Sequence, residues 1–109
     1  MVFTTAPSVT VIFLGDSLRR VRAFGRPVRL ALGRELRLLQ LGEEPRRWKP
    51  MPSVGPSVCE IRVSILGEYR VLYVRRSKSV LYVLHAFQKK TQRTRQADMA
   101  LARLRLRDI

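Results

Sequence analysis

Three runs rich in Val, Ile, Leu, Tyr and Phe follow one another in the second half of the chain: Val58 to Ile65, Tyr69 to Arg75 and Val80 to Phe87. β-Branched and aromatic residues at this density, separated by short polar or Gly-containing breaks, predict strands. The breaks are too short for parallel crossovers, so the runs form an antiparallel meander. In its second hairpin the break Arg76-Ser77-Lys78-Ser79 closes as a two- or four-residue loop, and either sets Arg70 opposite His85. Directly opposed residues project from one face, which brings the single histidine beside an arginine, with Phe87 two residues further along. In the first hairpin, a two-residue turn at Leu66-Gly67 and a three-residue loop ending at Gly67 differ by one residue and reverse every side chain. Only the three-residue form puts Arg62 beside Arg70, and that form is expected here.

Upstream, Thr10 to Leu14 has the composition of a strand, and Gly15 ends it ahead of Asp16 or Ser17 as a helix N-cap. Leu18, Val21 and Phe24 then recur at helical spacing, with Arg19, Arg20 and Arg22 outward, until Gly25. Pro27 opens a second helix whose stripe is Val28, Ala31, Leu32, Leu36 and Leu39, and Gly42 terminates it. The interior Gly33 suggests that the two helices approach closely. From Glu43 to Ser57 four prolines and a glycine predict a crossing loop. Past Phe87, Thr91 or Thr94 is available to cap a final helix to about Arg107, with Ala97, Ala100, Leu101 and Leu104 as its apolar stripe. The order strand, two helices, loop, three strands, helix predicts an α+β fold: a mainly antiparallel sheet with two N-terminal helices packed on it and a C-terminal helix.

Length places this in one domain, residues 1–109, with 1–9 as a flexible tail. What composition changes is the partner: 22 Lys plus Arg against 8 Asp plus Glu give +14, which points to a polyanion or an acidic protein. Arginine dominates that charge, and its planar fork suits bidentate contact with phosphate or carboxylate. One cysteine, Cys59, and one histidine leave no common metal-ligand spacing, and no cofactor motif is present, so any chemistry is expected to be metal-free. Cys59 reads as a small hydrophobe on its strand. No run approaches the length of a membrane span, which predicts a soluble, cytoplasmic protein.

The segments WKPMPSVGPSVCEIR, EYRVLYV and YVLHAFQKKTQRT, with the basic helix that closes the chain, resemble the phage-derived, HigB-like branch of the RelE/ParE superfamily of toxins. The likeness spans about residues 11 to 107 and is most specific from Trp48 to Thr94. It implies a microbial-RNase-type fold, metal-independent endonucleolytic cleavage of messenger RNA, often on the ribosome, inhibition of translation, and neutralisation by a helix-turn-helix antitoxin. The family's basic positions correspond to Arg62, Arg70, Lys89 and Lys90, with Phe87 as the aromatic among them. Some members of the wider superfamily use a tyrosine in the C-terminal segment; here the last tyrosine is Tyr82, within a strand. ParE-type relatives share the fold and inhibit DNA gyrase without cutting RNA, so a gyrase inhibitor is the alternative, and an inactive nucleic-acid-binding phage protein a third.

Metal-free RNA cleavage requires removal of the 2′-OH proton, stabilisation of charge on the phosphorane, and protonation of the departing 5′ oxygen. Arg62, Arg70 and Lys90 suit the second task through charge-assisted donors. His85 titrates nearest neutrality and suits proton transfer at either end, with Glu60 a more distant base. Phe87 offers a stacking platform for a base, and Lys89 and Arg93 offer backbone contacts. Trp48, flanked by Arg46, Arg47 and Lys49, either stacks a base in the same way or anchors its loop to the core.

Overall fold

A computed structural model describes residues 9–109. The tail expected over 1–9 lies outside the described residues, save Val9, which is buried. Five strands, β1 (Thr10–Phe13), β2 (Trp48–Pro50), β3 (Val58–Ser64), β4 (Glu68–Arg75) and β5 (Val80–Lys89), form one sheet in the order β1-β5-β4-β3-β2. All neighbours are antiparallel except β1 and β5. Helices α1 (Ser17–Ala23) and α2 (Arg26–Gln40) cover one face, and α3 (Gln96–Arg107) lies over the other. The expected α+β class is thus observed, in an arrangement compatible with a RelE-like fold.

The α2 stripe forms as its spacing requires. Val28, Leu32 and Leu39 are buried against Ile61, Val63, Val71 and Val83, each contributing about 1.5–3 kcal/mol by leaving water. Gly33 is on the outer face, with nothing within 4 Å of where a Cβ would stand, so close helix approach is not its reason. The stretch expected to be a pure loop contains β2, which pairs with β3 through Trp48 opposite Ile61 and Pro50 opposite Cys59. Proline is tolerated there because β2 is an edge strand. Ahead of it, the buried carboxylate of Glu35 accepts the Arg46 backbone N–H at 2.8 Å and ties the crossing segment to α2.

The first hairpin adopts the three-residue loop Ile65-Leu66-Gly67, with Arg62 opposite Arg70 and Ser64 opposite Glu68. Gly67 takes φ 140°, a value that side-chain-bearing residues rarely adopt. The second hairpin departs from expectation twice. Arg76 N–H bonds the Val80 carbonyl, closing a three-residue loop over Ser77, Lys78 and Ser79. Further along, Tyr73 pairs with Val83 but Leu72 pairs with His85, leaving Leu84 as the extra residue of a β-bulge. The loop reverses the expected facing of the near half of β5, and the bulge restores it for the far half. Arg70 therefore stands opposite Phe87, not His85, yet all three side chains share the α3 face.

α3 also differs from its sequence pattern. Neither Thr91 nor Thr94 caps it; Arg95 occupies the N-cap with no side-chain hydrogen bond. Ala97 and Ala100 are exposed and Leu104 nearly half so, while Met99, Ala102 and Leu106 pack on Leu72, Leu84 and Phe87. The helix is rotated so that Asp98 and Arg105 also approach the sheet. Arg105 explains part of this choice. Its Nη1 donates to the carbonyl of Leu84 at 2.9 Å, filling the acceptor that the bulge leaves unpaired. Its Nη2 donates to Asp16 Oδ1 at 2.6 Å, and the guanidinium lies against Gly15, where a Cβ would collide with it.

Candidate active site

Three consecutive rows cross the α3 face of the sheet. Ser64, Glu68 and Lys89 form the first, Arg62, Arg70 and Phe87 the second, and Glu60, Leu72 and His85 the third. The structure thus brings Arg62, Arg70, His85 and Phe87 onto one face, and adds Lys89, which the strand pattern leaves in the polar run beyond Phe87. Trp48 is elsewhere: it shares the opposite face with Ile61, on a strand three positions from β5, roughly 14 Å at ~4.8 Å per strand. At 39% exposure it does not anchor a core either.

Within the rows the charges differ in what they can reach. Arg70 is only 2% exposed. Its Nη1 and Nη2 both donate to Glu68 Oε1 at 3.1 Å, Nη1 also donates to the Tyr69 carbonyl at 2.9 Å, and Nε lies 3.4 Å from Glu60 Oε1. Glu60 is 1% exposed and also has Arg62 Nε at 3.8 Å. Arg70 is thus a buried arginine between two carboxylates in the row of Phe87, both Nη groups hydrogen-bonded and Nε near Glu60 without a hydrogen bond. Arg62, whose side chain is 33% exposed, is the cation of this group that meets solvent.

His85 is fully buried, stacked on Phe87 with ring centroids 5.3 Å apart. Burial holds its pKa below 6.5, although Asp98 opposes that shift. Its Nε2 lies 2.7 Å from Asp98 Oδ1. A carboxylate only accepts, so the neutral ring carries its proton on Nε2 and leaves Nδ1 bare, the nitrogen that has no partner.

Asp98 opens onto a cleft of about 390 Å³ where the end of α1, the end of β5 and the start of α3 converge. Arg20, Phe24, Phe87, Lys90, Arg95 and Asp98 contribute to its walls. Arg20 is paired to Asp16 Oδ2 at 2.8 Å, whereas Lys90 and Arg95 form no ion pair among the described residues. Arg93 is exposed in the turn before α3 and does not line the cleft. The walls thus offer two aromatics, two uncommitted cations and one carboxylate, a set suited to a phosphodiester with a base beside it. Sequence reading named Phe87 and Lys90 for this place but missed Asp98 and Arg95, because it put the apolar stripe of α3 on the wrong side of the helix.

Two groups behind the cleft give a pH dependence. The Arg105 guanidinium bonded to Asp16, helped by Arg20, holds that carboxyl far below its usual 3.8. A depressed carboxyl stabilises the fold above its unfolded pKa and loses that contribution as pH falls through the folded value. His85, also depressed, favours the folded state above 6.5 and loses this as pH falls below it. Urea midpoints should therefore decline first below about pH 6.5 and again below about pH 4. Asp16→Asn should weaken the fold by about 1–2 kcal/mol at pH 7 and flatten the lower decline; an unchanged lower decline would show that other carboxyls cause it.

No helix among the described residues is long and apolar enough to cross a membrane. Residues 19–107 match the family model described as phage derived protein Gp49-like (DUF891). No curated protein matches the chain.

Proposed function

This chain belongs to the Gp49-like family of phage-derived proteins, a family associated with the toxins of toxin–antitoxin systems, and on that premise we propose that it is a HigB-like type II toxin that cuts messenger RNA. The observation that carries the reading is the cleft at the end of β5, where Lys90 and Arg95 stand uncommitted beside Phe87. Lys90 and Arg95 hold the scissile phosphate, Phe87 and the neighbouring aromatic Phe24 receive a base, and Lys89, Arg93 and Arg62 follow the flanking backbone. Arg70 and His85 act from beneath: Arg70 sets the position of Phe87 across the strand pair, and His85 orients what the cleft presents. The nucleophile is the substrate's own 2′-OH, so the reaction needs no metal and yields a cyclic phosphate with a free 5′-OH. A charge of +14 also suits the acidic partner expected of a family of this kind, an antitoxin that neutralises the toxin in the cytoplasm.

Transcript mapping after brief induction tests this. New RNA 5′ ends bearing hydroxyls should appear within minutes and before growth stops. Intact transcripts with induced DNA damage would replace the nuclease by a gyrase inhibitor; intact transcripts with normal growth would leave an inactive binder.

A further inference from the structure

Among the groups lining the cleft, Arg20, Lys90 and Arg95 donate, and the Asp98 carboxylate is the one placed to accept a proton. His85, the side chain whose ordinary pKa best suits that task, is fully buried and spends its Nε2–H on Asp98 Oδ1 at 2.7 Å. The other oxygen, Oδ2, has no hydrogen bond among the described residues and is not enclosed, and the Asp98 side chain is 16% exposed at the cleft wall. A buried imidazole with a bare, unpartnered Nδ1 is a costly way to tether a helix that Arg105 already fastens twice. It is a reasonable way to aim one carboxylate.

We propose that Asp98 is the base of this cleft, accepting the 2′-OH proton through Oδ2, and that His85 is its positioning residue. The inference rests on the nuclease reading above. In the step, the 2′ oxygen gives its proton to Oδ2 and forms a bond to phosphorus. The bond from phosphorus to the 5′ oxygen breaks with its electron pair, and the departing oxygen takes a proton from the Lys90 ammonium. Solvent then carries the proton from Asp98 back to Lys90. Charged and titratable groups around Asp98 are His85 from β5, Lys90 just beyond it, Arg20 from α1 and Arg95 at the N-cap of α3, with Arg105 acting on His85 from behind.

Two substitutions separate this role from a tether. Asp98→Asn keeps the size and still accepts the His85 N–H, so a tether tolerates it; Asp98→Glu keeps the charge but displaces it, so a tether does not. Cleavage is followed on a messenger RNA in a reconstituted translation reaction and, in parallel, on a free single-stranded oligoribonucleotide, with melting curves for every variant. The expected pattern is a loss of about 100-fold or more in rate for Asp98→Asn at unchanged melting temperature and RNA affinity, with Asp98→Glu retaining the larger share. His85→Gln should shift the acidic limb of the pH–rate profile as well as lower the rate. Asp98→Asn cutting within about threefold of the wild type would overturn the role while leaving the nuclease standing. No cleavage by the wild type on either substrate would overturn the nuclease reading, and this role with it.

Discussion

Arg70→Ala should lower folding stability by about 3–5 kcal/mol, seen as a lower urea midpoint at nearly constant slope. The reason is Glu60. Its carboxylate is 1% exposed, and Arg70 Nε at 3.4 Å is its nearer cation, Arg62 lying at 3.8 Å. Removing the guanidinium leaves a charge in the interior with one distant partner, and it opens a void beneath Phe87. Against the ~5–15 kcal/mol typical of a small domain this is a large fraction, so the variant will have lost activity through unfolding as much as through chemistry. The companion Arg70→Met with Glu60→Leu removes both charges together and should recover most of the loss. A single variant as stable as the wild type would mean that Glu60 finds another partner or takes up a proton.

The second large effect is on the cleft. Lys90→Ala with Arg95→Ala should reduce cleavage by about 100- to 1,000-fold, the scale on which removal of donors aimed at a developing oxyanion is felt. Neither side chain is paired among the described residues and both are at the surface, so the melting temperature should hardly change. Binding should weaken as well, with a shallower dependence on salt, since two phosphate contacts go with the charges. Full activity in the double variant would move the reacting phosphate out of this cleft, toward Arg62 and Lys89 on the open sheet.

Much of this arrangement is visible in the sequence, and the parts that are not share a cause. The α2 stripe and the three long strands are legible because a period of 3.6 or 2 states which side is apolar. The first hairpin is legible because Gly67 accommodates the backbone angle that ends its loop. α3 is different: Ala97, Ala100, Leu101 and Leu104 make one apolar stripe, and Met99, Ala102, Leu106 and Ile109 make another nearly as good. Two polar contacts, Asp98 to His85 and Arg105 to the Leu84 carbonyl, accompany the second, and such long-range partners leave no periodic trace. β2 is hidden for a related reason, since an edge strand needs partners on one side only and can be written with prolines.

The bulge at Leu84 bears on how this chain tolerates changes of length. A residue lost from the loop over Ser77, Lys78 and Ser79 would ordinarily turn the whole of β5 over, sending His85 and Phe87 to the α2 side. Straightening the strand at Leu84 absorbs that loss, so the inversion stops there and the far half keeps its partners on β4. The spare residue is a slack joint: it insulates the cleft end of β5 from the loss of a residue at the hairpin tip.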